Sequence, residues 1–395
     1  MIKRSFDLLL LLFGLFLASA CTMTIGGPSR LPDPPAPTAI PLSEPAVSLA
    51  GVPGRSISLP PGFEISVFAD GLDDPRMMNL DSDGHIYVAE RGAGRILRLT
   101  DGDSDGRADQ IEIVAEGLKA PSSLAFYQDG SLYVGETNQV LRFPPLAGGE
   151  TFSQPEVIVP DLPGGGHNTR AVLFSPDYST LYVSIGSSCN VCEETDPRRA
   201  AIMRYDPDGS AGRLFAKGLR NAVGITMRPG VDELWATNNG RDFLGDDLPP
   251  ETIYLVQDGK DYGWPSCHSG RIIDPDLGSE TSCQGIEDPL VEMQAHTAPL
   301  GLEFYSGDQF PEEYRGDLFV GLHGSWNRSS PVGYKIVRIP LDGDTTGPVE
   351  DFAAGWLEGG SSWGRPVDVL TGPEGSLYVS DDAGGRIYRI SYHGN

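Results

Sequence analysis

One unit recurs along this chain and limits what it can fold into. It consists of an apolar strand, a turn carrying Asp and Gly, a second strand of Leu-Tyr-Val type, a polar loop and an Ile-x-Arg strand. The first three copies pair Met78-Asn79-Leu80 with Ile86-Tyr87-Val88, Leu124-Ala125-Phe126 with Leu132-Tyr133-Val134, and Leu173-Phe174 with Leu181-Tyr182-Val183. Three more pair Val223-Gly224-Ile225 with Leu234-Trp235-Ala236, Leu302-Glu303-Phe304 with Leu318-Phe319-Val320, and Val367-Asp368-Val369 with Leu377-Tyr378-Val379. Short apolar runs joined by Asp-Gly turns are hairpin signals. Six copies, most of them roughly 45–60 residues apart, predict an all-β chain: a six-bladed β-propeller of four-stranded antiparallel blades. A single repeat cannot bury its own faces, so the blades must stack around an axis. The early strand 64–68 is expected beside 386–390, closing the ring and hiding an edge. The wider gap before the fifth copy predicts an insertion at about 263–297, which holds Cys267 and Cys283.

The N-terminus carries Lys3 and Arg4, an apolar run from Leu8 to Leu17, then Ala18-Ser19-Ala20 ahead of Cys21. That order reads as a signal peptide over 1–20, and the run is too short for a membrane span. A cysteine after small residues resembles a bacterial lipobox, so Cys21 is expected to carry a lipid anchor. Residues 22–58, rich in Pro, Ala and Ser, are expected to be a flexible tether, and the propeller to occupy 59–395. The expected location is the periplasm or cell envelope. With a formal net charge of −26, the surface repels phosphate backbones, which excludes nucleic acid as a partner. Exported cysteines tend to pair, and the local pairs are Cys189–Cys192 and Cys267–Cys283. The rival for the first pair is a CxxC redox or zinc site.

In a propeller, loops at one end of the ring form a cup in which side chains from different blades converge. Gly164-Gly165-Gly166-His167-Asn168-Thr169-Arg170 leads into blade three and Gly218-Leu219-Arg220-Asn221 into blade four. Asn239-Gly240-Arg241 follows a strand of blade four, His323-Gly324-Ser325-Trp326-Asn327-Arg328 follows one of blade five, and Gly364-Arg365-Pro366 leads into blade six. Histidine is suited to taking a proton near neutral pH. Arginines clustered on an acidic chain point to an anionic ligand, such as a cofactor with several carboxylates.

These stretches, with Asp246-Asp247, Glu251 and Tyr262-Gly263-Trp264-Pro265, resemble the soluble glucose/sorbosone dehydrogenase family. Its members are six-bladed propellers using pyrroloquinoline quinone (PQQ) and calcium. The similarity runs over about residues 60–392 and is greatest to the sorbosone dehydrogenase-like branch. The resemblance implies His167 as general base, with Arg220 also catalytic. It implies PQQ contacts from Arg220, Asn221, Asn239, Gly240, His323 and Arg365, and calcium on the backbone carbonyls of Gly240 and Arg241. The family's glucose dehydrogenases have a cofactor-binding lysine near the position of His323 and a second arginine where Val367 stands. His323, Arg328 or Arg170 is expected to replace that charge. The implied activity is oxidation of a sugar, sugar aldehyde or polyol by hydride transfer to the quinone, with electrons passing to a periplasmic acceptor.

A separate pattern runs from Asp101 to Glu112. Asp101, Asp103, Asp105, Asp109 and Glu112 stand at the first, third, fifth, ninth and twelfth places, with Gly106 sixth. This is the twelve-residue calcium loop, here flanked by strands in place of helices. Asp246, Asp247 and Glu251 are a weaker candidate for another structural ion. Two alternatives stay open. One is a calcium-dependent lactonase on the same scaffold, which Glu90 and Glu136 would serve. The other is a propeller acting purely as a binding platform.

Overall fold

The computed structural model describes residues 39–42, 46–146 and 152–394. The expected signal peptide and Cys21 lie outside them. Six antiparallel sheets form the blades. Blade one runs from the innermost strand outward as Pro75–Leu80, Ile86–Glu90, Arg95–Thr100 and Gln110–Glu116. Blade four is Ile225–Met227, Leu234–Asn238, Glu251–Val256 and Val291–Met293. Among the described residues there is no α-helix, only one 3-10 turn at Glu312–Tyr314.

The Leu-Tyr-Val repeats are the second strands of their blades. All six (Ile86–Glu90, Leu132–Glu136, Leu181–Ile185, Leu234–Asn238, Leu318–Leu322 and Leu377–Asp381) are buried at every position. A strand covered on both faces reads as a continuous apolar run, not an alternation. The outer strand Gln110–Glu116 is largely exposed. Aromatic contacts join neighbouring blades: Phe63 meets Phe310 and Phe352 edge-on at ring centroid distances of 4.7 and 5.1 Å.

The ring closes as expected. Phe63–Asp70 is the outermost strand of blade six and pairs antiparallel with Arg386–Tyr392. Two boundaries move. Val291–Met293, assigned to the insertion, is the fourth strand of blade four, pairing with Glu251–Val256. The tether reading of 22–58 also ends too late. Val47–Ser48 pairs with Ser56–Ile57, and Leu49 and Ile57 bury in one cluster with Phe63, Phe352 and Trp356. Further upstream, Ala39–Ile40 adds a parallel fifth strand to blade five. The segment docks through these apolar side chains and through backbone bridges from Ala50 to Ser66 and from Ser58 to Ala354.

Antiparallel connections alternate between the two ends of the ring. The loops leading into each blade, and those between second and third strands, share one end. The Asp-Gly turns between first and second strands sit at the other.

Candidate active site

At the first end lies a cavity of about 240 Å³. His167, Arg220, Asn221, Asn239, Gly240, His323 and Arg365 all line it, so residues from four blades meet in one place. Arg76, Asp242, Glu251 and His296 join them, and Trp326 and Asn327 also face the space.

His167 is set by a tight crossing of backbones. A Cβ on Gly186 would lie 2.5 Å from the His167 Cβ and 2.7 Å from Asn221 Oδ1, so only glycine lets the strand end pass beneath both. Gly166 takes a φ of +58° and packs on Ser187 and Ser188. Two buried guanidiniums hold the loop from behind. Arg170 donates to the carbonyls of His167, Thr169 and Pro163, and Arg199 to those of Gly164, Gly165 and Gly186. Arg170 therefore serves the loop rather than supplying charge to the cup.

The His167 tautomer follows from its neighbours. Nδ1 stands 2.9 Å from Ser187 Oγ, whose own hydrogen goes to the Cys189 carbonyl at 2.7 Å. Ser187 Oγ can then only accept, so Nδ1 carries the proton and Nε2 keeps its lone pair. Burial, then the Arg220 guanidinium, pushes the imidazole down to about 4 from its usual 6.5. His167 is an unprotonated base at neutral pH.

Arg220 is almost wholly buried. It donates to Asn190 O and Asn190 Oδ1, each at 2.9 Å, and pairs with Asp242 Oδ2 at 3.1 Å. His323 Nε2 stands 2.8 Å from Asp382, which also pairs with Arg76 at 2.6 Å. Desolvation outweighs the carboxylate and brings His323 down to about 4, so this imidazole is neutral and donates from Nε2 to an ionised Asp382. It does not replace the family's lysine as a cation. Arg365 donates to the carbonyls of His323 and Gly324 at 3.2 and 3.3 Å, and has no carboxylate partner among the described residues. Arg328 is tied to Asp246 and Asp247 instead of the cup. Arg76, overlooked in the sequence, brings a further guanidinium to the cavity and shares Asp382 with His323. It stands one place after Pro75 in blade one's innermost strand, the position that Val367 holds after Pro366 in blade six, so the repeat gave no signal for a cation there.

Arg241 turns its side chain to the insertion, meeting Asp274 and Asp276 at 2.5 and 3.0 Å. Gly240 N–H donates to Glu251 Oε2 at 2.7 Å and Ala298 N–H to Oε1 at 3.3 Å. Glu251 thereby anchors the loop, and burial raises its carboxyl to about 7. Among the described residues Asp246, Asp247 and Glu251 do not gather into one site: the two aspartates meet Arg328 and Ser329, while Glu251 turns to Gly240 and Ala298. Glu90 and Glu136 are absent from the cavity lining. Glu90 accepts from Asp73 N–H and Arg95, and Glu136 from Lys119 N–H and Gln139, so the carboxylates offered for a lactonase hold loops.

Away from the cup, Asp101, Asp103 and Asp109 place carboxylate oxygens within 4.8 Å of one another. Asp105 joins the same turn through its N–H, which donates to Asp101 and Asp103. Glu112 does not. It lies on a strand and pairs with Arg98 at 2.6 Å, because a strand exit turns the twelfth side chain along the sheet where a helix would return it to the loop. Both expected disulfides are present, Cys189–Cys192 and Cys267–Cys283, and the pairing removes the zinc reading.

Known proteins share this architecture. The PQQ domain of pyranose dehydrogenase from Coprinopsis cinerea, in its holo form, superposes with a TM-score of 0.74 at 24% identity, covering 87% of this chain and 100% of that one. In sequence, the PQQ-dependent pyranose dehydrogenase of Coprinopsis cinerea is 24% identical over 410 residues, covering 86% of this chain and 55% of that protein. An aldose sugar dehydrogenase of Escherichia coli is 29% identical over 255 residues, covering 59% of this chain and 62% of that protein. The chain spans 55% to 61% of the length of the first curated relatives it matches. The TrAA12-like family pattern matches residues 57–276 and 272–393. A propeller whose cup gathers these loops in this order belongs to the TrAA12-like family.

Proposed function

We propose that the protein is an exported PQQ- and calcium-dependent dehydrogenase that oxidises a sugar, sugar aldehyde or polyol, passing electrons to a periplasmic acceptor. The observation that carries this is an unprotonated imidazole, His167, facing the same cavity as Arg76, Arg220 and Arg365. Export and a lipid anchor on Cys21 belong to the same proposal and rest on the N-terminal sequence.

The donor set suits a flat cofactor bearing carboxylates. Both amide atoms of Asn327 and the Nε of Arg76 are buried without a hydrogen-bond partner in the structure, and such groups are costly unless a ligand completes them. Arg220, Asn221, Asn239, Asn327 and Arg365 would hold the quinone, and the carbonyls of Gly240 and Arg241 the calcium. Bound PQQ would supply the two-electron acceptor for the hydrogen leaving the substrate carbon. His167 Nε2 would take the proton of the hydroxyl on that carbon. Arg220 and its Asp242 partner keep a fixed dipole beside it, which favours charge developing there without reorganisation. At the mouth, Phe243 and Trp326 stand 67% and 68% exposed and meet edge-on at 5.5 Å. Exposed aromatic faces of this kind suit the apolar face of a sugar ring.

The test is reconstitution of the purified protein with PQQ and calcium, followed by dye reduction with a panel of aldoses, sorbosone and simple alcohols. Quinone retained in the absorption spectrum and turnover with at least one sugar are expected. A protein that never retains quinone and reduces no dye would falsify the reading, and lactone hydrolysis with calcium alone would replace it. Activity with sorbosone in preference to aldoses would place the protein in the sorbosone dehydrogenase-like branch.

A further inference from the structure

The loop closed by the Cys189–Cys192 disulfide lies against the site from below, and its contacts are specific. Asn190, inside that four-residue loop, gives both its carbonyl and its side-chain oxygen to Arg220, each at 2.9 Å. The same side chain is locked on its other flank. Asp242 N–H donates to Asn190 Oδ1 at 2.8 Å, and Asn190 Nδ2 donates to the Asp242 carbonyl at 3.1 Å. Trp264 Nε1 also reaches the Asn190 carbonyl, at 3.3 Å. One residue upstream of the bridge, Ser188 is clamped by Glu194 through N–H and Oγ at 2.6 and 2.8 Å. The Cys189 carbonyl in turn accepts from Ser187 Oγ, which fixes His167 Nδ1. One short loop thus supports both the guanidinium and the imidazole of the site.

We propose that Asn190, held in place by the Cys189–Cys192 disulfide, is the positioning residue that fixes Arg220 and, through Ser187, His167 in the cup. The bridge removes conformations from a loop whose Asn190 carries four of its bonds to Arg220 and Asp242. An Arg220 released from Asn190 keeps Asp242 and a long bond of 3.3 Å to the Asn239 carbonyl, and loses the two shorter bonds that aim it. The kinetic consequence rests on the dehydrogenase reading; the positioning itself does not.

The experiment follows the imidazole directly. His167 and His323 titrate by nitrogen-detected NMR in the purified protein without added PQQ, each assigned by its glutamine variant. The charged groups facing His167 are Arg220 and Arg199. In Asn190→Ala, and in the double variant Cys189→Ser/Cys192→Ser, Arg220 moves off its place and the His167 midpoint is expected to rise by about one pH unit. His323, held in another blade by Asp382, is expected to stay where it is. In the same variants the dissociation constant for PQQ itself is expected to rise roughly tenfold, as for loss of a hydrogen bond to a charged group. The triple variant is expected to be no worse than the double, because both changes cut one chain of contacts. An unchanged His167 midpoint overturns the proposal. So does a joint shift of His167 and His323, which would mean general loosening, and so do additive losses in the triple variant. If the wild-type protein fails to bind PQQ, the dehydrogenase reading falls while the His167 titration still decides the positioning.

Discussion

The two ends of the propeller use the same kinds of residue for opposite purposes. At the far end, aspartates close turns within their own blade. Asp81 Oδ1 accepts from Asp83 and His85 N–H, and Asp129, Asp177 and Asp208 each accept from the N–H two residues on. These are local Asx turns, repeated because the hairpin repeats. At the cup end, carboxylates also join parts of the chain that are far apart. Asp382 links blade six to Arg76 in blade one and to His323 in blade five, and Asp242 faces Arg220. Local bonds keep a turn in shape whatever the rest of the molecule does. Bonds between blades require the closed ring, and they are what place an unprotonated imidazole among guanidiniums.

The largest test of this contrast replaces one histidine at each end. His167→Ala is expected to cut turnover by roughly 10²–10⁴-fold, the usual worth of a positioned general base, while PQQ binding is largely kept. His85→Ala, which removes only the partner of Asp81, is expected to leave turnover within about twofold, since a surface pair of this kind contributes little. Steady-state dye reduction measures both. Full activity in His167→Ala would take the base role from that residue.

A second test uses pH. His167 titrates at about 4 in the folded protein, and in the proposed mechanism its neutral form is the active one. The acid limb of kcat/KM should therefore sit near pH 4, with activity level from about pH 5 upward and falling about tenfold per unit below 4. A limb near the ordinary 6.5 would mean that His167 is solvated or that another base acts. Stability carries the same sign for this group. Between pH 4 and 6.5 the unfolded chain binds a proton that the native imidazole refuses, so His167 and His323 make the fold less stable as pH falls through that window. Glu303 and Asp368, raised to about 7 by burial, act the other way: the native state holds their protons, and stability falls as pH rises from about 4 to 7.

The same contrast explains what could be read from the sequence. The blades were legible because Leu-Tyr-Val runs mark second strands, which are buried on both faces in all six sheets. His167, Arg220 and Arg365 were legible because they lead into blades at equivalent points. Arg76 was not, because it lies inside the strand, at the position where blade six has Val367. Asp382 was invisible, since its worth lies wholly in partners 306 and 59 residues away. Glu112 was misplaced for the converse reason: a spacing rule for a helix-flanked loop was applied where strands set the direction of the side chain. The tether boundary failed at Leu49 and Ile57, whose burial depends on a groove that no local pattern reveals.

A third test removes one guanidinium from each end. Among the described residues Arg365 donates to carbonyls, stands over the Tyr334 ring and pairs with no carboxylate, so its charge is open to a ligand; Arg142 is spent on Asp129 and Glu156 at the far end. Arg365→Ala is expected to weaken PQQ roughly tenfold, in line with a charge-assisted hydrogen bond, and Arg142→Ala to leave it unchanged. Equilibrium titration with the quinone reads the difference, and equal affinities would remove Arg365 from the binding set.

The smallest expected effect belongs to the far end alone. Asp101, Asp103 and Asp109 bring their carboxylates together on one exposed turn, where three like charges repel unless a cation intervenes. Calcium in the millimolar range should raise the melting temperature of the wild-type protein by a few degrees, about what 1 kcal/mol is worth in a domain of this size. Asp103→Asn should abolish the part of the shift that this turn contributes, whereas Glu112→Gln should keep it, because Glu112 is bound to Arg98 and offers the turn nothing. Melting curves followed with and without calcium in the three proteins decide the matter. A shift that survives Asp103→Asn in full would assign the stabilisation to the cup, and one lost in Glu112→Gln would mean that the strand yields to let the twelfth ligand reach the ion.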